Sequence, residues 1–586
     1  MCRRSCFASP MAPAALQAMD LTSLRAVLSE LQPLLVPSRF EKAQQADAQT
    51  LQLGFRTLRQ RLWLELSWLA EAPRLLAIAP PPRQGDGSTL AQQLQHGLGG
   101  LALVSLEQPG WERVVELGFA ARPGDSLQRW LVLELMGRHS NLFLLDEQRR
   151  VVAAARQVRQ QQSRLRPIGT GDLYSPPPPL QGQPPDPNEP FERWKAQLTL
   201  LPLPLLKALQ SAYQGISPAL ALQLAGDTPE GQAWLSQPVQ SLSAQQWQAL
   251  WEHWQSWLQA MEQQRFGFTP GQCCAYRCWQ APAPAGSAAP EPLAINQALA
   301  SYHQQRLGSR QVQQRQHQLR QRLEQLLQRE RSQMEHQQQL LDQVENSDQL
   351  QQQADALLCL PQPSRDQVAE AQKLYKRARK LRRSVAAITP RLEQHRQRIE
   401  QLETSLTFLE QGPEHSHTAA LEHLHTLEEE CTHLQDPGRP NRSQRRQQTS
   451  AAPNPLELTS PSGLRLQVGR NHRQNEWISL RQARRGDLWF HAQECPGSHV
   501  VLKGSEGVPG DADLQAAADL AAHFSRARGN SRVAVVLVPC DDLQRIAGAV
   551  PGTVRHRGGE VLWADPGRAA ALLTAAPPSL GVEPEP

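Results

Sequence analysis

Two long polar segments in the middle of the chain most constrain how it can fold. Residues 381–409 carry apolar side chains at alternating spacings of three and four, namely Leu381, Val385, Ile388, Leu392, Ile399, Leu402, Leu406 and Leu409, with only His395 interrupting. The preceding Gln- and Arg-rich segment has Leu327, Met334 and Leu341 seven residues apart. This spacing forms a coiled-coil seam. The break "LCLPQPSRD" (358–366) predicts that the two arms pack as an antiparallel hairpin. The alternative, a parallel dimer, would not need the break.

The second arm contains a proline and a basic run. Pro390 should kink the helix or begin a new segment of it. The run "KLYKRARKLRR" (373–383) includes Lys373, Lys376, Arg377, Arg379 and Lys380, and the linker sequence "GRPNRSQRR" (438–446) is also basic. Such runs are usually solvated faces, but two in a chain of net charge +5 favour a polyanionic partner.

The rest of the chain divides around these arms, because 586 residues exceed what one core accommodates. We predict a multidomain α+β protein in which antiparallel strands and helices form the N-terminal domain and a smaller α+β domain lies at the C-terminus. The predicted segments are an extension (1–18), an α+β domain (19–188), a helical domain (189–280), a linker (281–292), the coiled-coil arm (293–435), a basic linker (436–455), the C-terminal domain (456–570) and a tail (571–586).

Cysteine usage and hydropathy indicate a cytoplasmic protein. Nine cysteines are scattered along the chain, which is typical of a reducing compartment. The cluster "CCAYRC" (273–278) has no second ligand pair at zinc spacing, so we expect neither a metal nor a cofactor. No apolar run is long enough to span a bilayer, and the N-terminus has no continuous apolar stretch for secretion.

The helical domain contains a corner, "QGISP", in which Pro218 suits the first turn of a helix. Ser243 and Gln246 match a capping box. The face formed by Trp247, Trp251, Trp254 and Trp257 is interpreted as core rather than as a base-stacking array. The corner is similar to a helix-hairpin-helix, which grips nucleic-acid backbone, although a plain helical corner fits nearly as well.

The C-terminal stretch "GDLWFHAQECPGSHVV" (486–501) could hold either a catalytic site or an RNA-binding surface. Ser498 and His499 point to opposite faces if they lie on a strand, so they form no catalytic dyad. The nearby residues Arg470, Asn471, Arg473 and Asn475 are predicted to form a loop suited to phosphates and unpaired base edges. We therefore expect RNA or ribosome binding, and no catalytic residues.

In two stretches of its sequence, the chain resembles the NFACT family, whose bacterial members are RqcH-type and whose eukaryotic members are NEMF-like. The resemblance is most specific over "ELMGRHSNLFLLD" (134–146) and "VGRNHRQNEWISLRQARRGDLWFHAQECPGSHVVL" (468–502). It implies an NFACT-N domain, a helix-hairpin-helix, a coiled-coil arm and an NFACT-R domain. It also implies a role in ribosome quality control. The protein would bind the stalled large ribosomal subunit carrying peptidyl-tRNA and recruit alanyl-tRNA for untemplated C-terminal alanine tailing, which marks the nascent chain for degradation. The ribosome would make the peptide bonds, and rRNA and an RqcP-like S4-domain protein would be further partners.

The resemblance also implies a tRNA-contacting set: Glu112, Arg113, Glu134, Arg138, His139 and Asn141. The residue pattern of 111–119 predicts a strand in which Arg113 ends an apolar face and Glu112 lies on the other face. This chain departs from the family in its N-terminal extension, in Glu112 where the family has Asp, and in a shorter segment between the arms.

Two rival functions remain. The tripeptide "RGD" (485–487) suggests a surface adhesin that binds fibronectin, although it arises often by chance. A nucleic-acid enzyme of glycosylase-like fold is the other, but those enzymes need an N-terminal Pro-Glu, whereas Met1 is followed by Cys2 and Met19 by Asp20.

Overall fold

The computed structural model describes residues 16–83, 88–179, 181–280, 293–413, 416–435, 453–546 and 551–575. The predicted linker 281–292, most of the basic linker 436–455, and most of the predicted extension and tail lie outside these residues. The chain divides into two compact units, Met1–Leu307 and Gly308–Pro586. The predicted α+β multidomain class is confirmed. Among the described residues, no helix combines the length and hydrophobicity needed to cross a bilayer.

A nine-stranded antiparallel sheet forms the larger part of the first unit. Its strands are β1 (Ser38–Asp47), β2 (Thr50–Arg56), β3 (Arg61–Ser67), β4 (Arg74–Ile78), β5 (Ala102–Glu107), β6 (Val114–Ala120), β7 (Arg129–Glu134), β8 (Asn141–Leu145) and β9 (Val151–Ala154). Their order is β4-β3-β2-β1-β5-β6-β7-β8-β9. Helices α1 (Leu21–Leu35) and α2 (Thr89–Leu98) contribute buried leucines to the core that the sheet lines.

The helical part of the first unit packs on the same core. Its helices are α3 (Phe191–Thr199), α4 (Leu205–Ala212), α5 (Pro218–Leu224), α6 (Pro229–Ser236) and α7 (Ala244–Glu262), followed by the hairpin of β10 (Phe266–Pro270) and β11 (Tyr276–Trp279). Helix α7 begins at the predicted capping box of Ser243 and Gln246. Its tryptophan face is core, as predicted: Trp254 and Trp257 have no exposed surface.

The coiled coil consists of α8 (Ala294–Leu358) and α9 (Arg365–Glu410), and α10 (His417–Gln435) follows. Within the second unit, Glu410 pairs with Arg320, and Glu403 pairs with Arg331. Farther along, Arg382 pairs with Asp348. Across these three ion pairs, the residue number on α9 decreases as the residue number on α8 increases. The two helices are therefore antiparallel, and the predicted hairpin is confirmed. Helix α9 continues through Pro390.

The C-terminal domain is built on a six-stranded antiparallel sheet. Its strands, in the order β12-β13-β15-β14-β16-β19, are β12 (Leu456–Thr459), β13 (Arg465–Val468), β15 (Val500–Leu502), β14 (Leu488–Ala492), β16 (Val533–Pro539) and β19 (Glu560–Ala564). A separate pair, β17 (Leu543–Arg545) and β18 (Val554–His556), lies between the last two in sequence. The remaining helices are α11 (His472–Glu476), α12 (Asp511–His523) and α13 (Ala569–Ala575). The alanine-rich face of α12 packs on one face of the sheet.

One predicted strand is wrong. The sequence of "EWISL" (476–480) predicts a strand, but the segment is helical: α11 continues into a wide helical turn over Trp477–Arg481. The physical reason lies just upstream, where the Asn471 side chain caps α11 by accepting from the backbone N–H of Gln474. The bond from the Gln482 N–H to the Trp477 carbonyl, five residues back, then closes the wide turn.

Candidate nucleic-acid interface

Glu112 and Arg113 lie in a bend before β6 rather than on a strand. Strand β6 begins at Val114, so the predicted division of the pair between two strand faces is wrong. The bend is held by hydrogen bonds to both carbonyls. The Gln108 side chain donates to Glu112 O at 2.7 Å, and the Leu135 N–H donates to Arg113 O at 2.9 Å. These two bonds fix the backbone of the bend. Because Arg113 lies outside β6, its side chain does not follow the alternating faces of that strand.

Arg113 lines a cavity of about 360 Å³ together with the helical corner before α5. Its walls include Trp111, Tyr213, Gln214, Gly215, Ile216 and Ser217. The corner forms because Ser217 caps α5, and Pro218 lies in the first turn of that helix as predicted. Gly215 has φ +77°, and a Cβ there would lie 2.8 Å from Leu21 Cδ2. Only glycine therefore fits this turn against the wall of the cavity.

The electrostatics of this cavity leave one cation without a direct partner. Asp20 is nearby, but its carboxylate accepts from the Ser23 N–H, the Ser23 hydroxyl and the Ser217 hydroxyl. Burial lowers the pKa of Arg113, and the charges of Asp20 and Glu112 oppose that shift. Among the described residues, the Arg113 guanidinium has no hydrogen-bond or ion-pair partner. Its planar fork can therefore bind a phosphate or a base edge.

The hairpin that joins β7 to β8 places its polar residues in two different roles. Glu134 is buried and accepts from Arg166 at 2.8 and 2.6 Å and from the Tyr174 hydroxyl at 2.9 Å. Asn141 is buried too, and its side chain bonds both the N–H and the carbonyl of Arg156. These two side chains hold the hairpin and are not exposed for a ligand.

The tip of that hairpin is exposed. Arg138 and His139 lie there and are hydrogen-bonded to each other. Of the predicted tRNA set, the structure thus brings Glu112 and Arg113 to the cavity and Arg138 and His139 to the tip. Met136, which the sequence analysis did not single out, also lines the cavity.

The predicted 470–475 loop is a helix start, and its two asparagines are internal. Asn471 is the cap of α11, and the Asn475 side chain accepts from the His499 N–H at 3.1 Å. Both are buried. Since their amides are engaged within the fold, the prediction that they contact RNA finds no exposed group here. The two arginines of the segment line a cavity, and neither is fully buried.

That cavity, of about 840 Å³, gathers four arginines, Arg470, Arg473, Arg481 and Arg545. Arg473 pairs with Glu429 at 3.5 Å, and Arg481 and Arg545 share Glu476 at 3.5 and 3.4 Å. Burial lowers the pKa of Arg470, whose Nε is buried without a partner among the described residues. Arg481 and Arg545 were not predicted as members of this site, because they reach the cavity from segments far apart in sequence.

The 486–501 stretch is mostly structural. Asp487 is fully buried and pairs with Lys503 at 3.0 Å. Burial acts to raise the Asp487 pKa, but hydrogen bonds from the Arg484 N–H, Ser505 and Lys503 lower it overall. The aspartate of the "RGD" tripeptide is therefore enclosed. His499 bonds the hydroxyl of Ser479 at 2.8 Å rather than that of Ser498. No metal-binding cluster occurs among the described residues.

The basic run on α9 is exposed. Lys373 pairs with Glu370 at 3.4 Å, on the same helix. The side chains of Lys376, Arg377, Arg379 and Lys380 are also exposed and form no ion pair among the described residues. The run is therefore a solvated cationic face of the arm, open to contact by a polyanion.

Comparison with known proteins agrees with this architecture. A family model described as NFACT N-terminal and middle domains matches residues 20–363 and 361–450. A second model, described as NFACT protein RNA binding domain, matches residues 457–558. Together they cover both units.

Curated relatives share the same family. The Rqc2 homolog RqcH of Streptococcus pneumoniae is 28% identical over 577 residues, covering 93% of this chain and 97% of the relative. The RqcH protein of Bacillus subtilis is 37% identical over 127 residues, 21% of this chain and 22% of the relative. A solved structure, the C-terminal part of the fibronectin/fibrinogen-binding protein from Streptococcus suis, is similar with TM-score 0.36 and 28% identity, over 44% of this chain and 98% of that one. The chain belongs to the NFACT family as an RqcH-like member.

Proposed function

We propose that this protein acts in ribosome quality control. In this role it binds a stalled large ribosomal subunit that carries peptidyl-tRNA and recruits alanyl-tRNA for untemplated C-terminal alanine tailing, which marks the nascent chain for degradation. The RqcH relatives and the matched RNA-binding domain support this role. The peptide-bond chemistry belongs to the ribosome, and the protein works in the cytoplasm with rRNA and an RqcP-like S4-domain protein as further partners.

The observation that carries the tRNA part of this proposal is the half-buried guanidinium of Arg113, which has no hydrogen-bond or ion-pair partner among the described residues. A guanidinium withdrawn from water with no direct counter-ion is costly to hold in the free protein. A tRNA phosphate or base edge entering the cavity replaces the lost hydration with bidentate hydrogen bonds. Glu112, at the mouth of the same cavity, supplies an acceptor for base amino groups. The exposed Arg138 and His139 extend the contact along the hairpin tip.

Ribosome and RNA holding falls to the second unit. Arg470, like Arg113, is half-buried and has no side-chain partner among the described residues, and Arg473 lines the same cavity, so this cavity attracts RNA phosphate. The basic run of α9 supplies exposed charge on an arm long enough to reach across a subunit. At about 1.5 Å per residue, the 46 residues of α9 extend about 70 Å.

The test is to replace Arg113 by Ala and by Lys in the full-length protein. Arg113→Ala should abolish tRNA co-purification and alanine tailing and leave co-sedimentation with large subunits intact. Arg113→Lys keeps the charge but loses the planar fork, so we expect it to be impaired too. Arg122→Ala, at an exposed position just after β6, is the matched control.

Each outcome is informative. Normal tailing by Arg113→Ala refutes the assignment of the cavity to tRNA. Parallel loss of subunit binding would assign Arg113 a structural role. Absence of the wild-type protein from large-subunit fractions would refute the ribosomal role itself.

A further inference from the structure

The second face of the C-terminal sheet, opposite α12, carries a row of aromatic and apolar side chains. Directly paired residues of antiparallel strands share a face. His491 pairs with Val536, and Val536 pairs with Val561, so these three form one row across β14, β16 and β19. Trp563, two residues beyond Val561, lies on the same face. The helix α12 packs against the other face, so it does not cover this row.

The outer end of this row is exposed. Trp563 is 54% exposed and Val561 is 49% exposed, and both lie on β19, the edge strand of the sheet. Fully exposed apolar residues in this domain, such as Val508, lie in loops, whereas these two stand together on a regular strand. Adjacent exposed apolar groups on a rigid element are typical of a binding surface.

One arginine lies over the exposed ring, and the same domain carries further exposed arginines. The Arg532 guanidinium lies 4.7 Å from the centre of the Trp563 ring. The exposed Arg528, Arg555 and Arg557 form no ion pair among the described residues. The turn after Arg557 passes close over the row, since a Cβ on Gly559 would lie 2.8 Å from Val536 Cγ2. These charges suit a phosphate backbone that follows the edge of the aromatic row.

The inner end of the row opens into a cavity of about 690 Å³. His491 stacks on Trp489 there, with ring centres 5.5 Å apart and planes at 11°. Burial lowers the pKa of His491 to about 4, so its ring is neutral at physiological pH. Carboxylates of Glu393 and Glu400 line the opposite wall. A neutral histidine ring nitrogen and a carboxylate can each accept a hydrogen bond from a base amino group, and the carboxylates repel phosphates.

We propose that this face, formed by Trp563, Val561, His491 and Arg532, binds unpaired RNA by stacking its bases. The backbone lies along the arginines, and the bases lie over Trp563 and toward the cavity. This inference rests on the RNA-binding role proposed above and gives it a ligand class, single-stranded rather than duplex RNA. The basic surroundings of the ring favour RNA over a protein partner.

The experiment measures binding of a fluorescein-labelled oligoadenylate to the full-length protein by fluorescence anisotropy over a range of salt concentrations. Stacking is worth about 1–3 kcal/mol per base, so Trp563→Ala should weaken binding by about fivefold to 150-fold. The slope of affinity against salt should stay unchanged, because no phosphate contact is removed. Trp563→Phe should restore most of the affinity, and Val508→Ala, a loop change in the same unit, should have no effect.

Three results would overturn the proposal. One is wild-type affinity of Trp563→Ala for the oligoadenylate, even if that variant loses a protein partner. Another is an equal loss with Trp563→Phe. The third is failure of the wild-type protein to bind the probe. None of these touches the ribosomal role, which co-sedimentation with large subunits reports separately. Thermal unfolding of each variant checks that the C-terminal sheet remains folded.

Discussion

Glu134 offers a direct test of whether a residue in the strongest family motif holds the fold or contacts tRNA. Its side chain is 1% exposed, while that of its partner Arg166 is 16% exposed. Two hydrogen bonds from Arg166 and one from Tyr174 satisfy the carboxylate. Glu134→Gln keeps the shape of the side chain and removes its charge. The Arg166 cation then lacks its carboxylate partner in a poorly hydrated site.

The size of the effect follows from that burial. Breaking a buried ion pair by neutralising one partner costs about 3–5 kcal/mol. The pair here is reached by some solvent through Arg166, so we take the lower end, about 3 kcal/mol. For a domain of about 150–250 residues, each kcal/mol of lost stability lowers Tm by about 2–4 °C. A loss of about 3 kcal/mol therefore lowers Tm by about 6–12 °C.

The assay is thermal unfolding of the full-length protein together with tRNA co-purification at a temperature where both variants are folded. Glu134→Gln should lower the first unfolding transition and leave tRNA binding near normal. Glu147→Gln, at an exposed position between β8 and β9, carries the same charge change and should do neither. The double variant Glu134→Gln/Arg166→Met should recover stability, because the isolated buried charge is gone. Loss of tRNA binding with an unchanged Tm would refute this reasoning.

Three further predictions concern the Lys503–Asp487 pair, His303 and Gly215. Lys503→Met should destabilise the second unit by about 3 kcal/mol or more, read by urea unfolding, because it isolates the buried Asp487 carboxylate. Since the Asp487 pKa is lowered, its stabilising contribution is present above its unfolded pKa and is lost as pH falls through the folded one, a dependence that Asp487→Asn should remove. Burial lowers the His303 pKa to about 3, and both ring nitrogens lack partners among the described residues. Wild-type stability should therefore fall as pH drops from about 6.5 toward 3, and His303→Leu should flatten that dependence at little or no cost in stability near pH 7. Gly215→Ala should abolish tRNA co-purification and lower Tm, because its Cβ would clash with Leu21 Cδ2 at 2.8 Å in a left-handed turn.

Periodic signals in the sequence predicted much of the architecture. The heptad spacing of 381–409 predicted the coiled-coil arm, and the tryptophan spacing of α7 predicted a core face, because both patterns act through one continuous element. The antiparallel pairing of the arms was predicted from the break at 358–366. The bend at 111–113 and the helix at 472–481 were missed for a common reason. In each, a side chain bonds to nearby backbone, Gln108 in one and Asn471 in the other, and alternation of residue types carries no information about such bonds.

The candidate sites were predictable only in part. The family motifs identified Arg113 and Arg470 as candidate binding residues. The motifs alone could not distinguish these two from Glu134, Asn141 and Asn475, whose polar groups are hydrogen-bonded inside the fold. The difference lies in the partners, which come from segments remote in sequence: Arg166 for Glu134, and His499 for Asn475. Trp563 gave no signal at all, since the pattern of β19 does not reveal which strand face remains uncovered.

The arginines and lysines of this chain fall into two physical classes, and the distinction implies a division of labour. Arg113 and Arg470 are half-buried and have no counter-ion among the described residues, so each gains most from one well-placed acceptor and confers geometric selectivity. The basic run of α9 is solvated, so it attracts RNA from a distance and weakens as salt screens it. Neutralising Lys376, Arg377 and Lys380 together should therefore reduce the salt slope and the association rate for large subunits. Arg113→Ala should abolish tRNA co-purification and leave that slope nearly intact. If both variants shift the slope equally, burial does not separate the two roles.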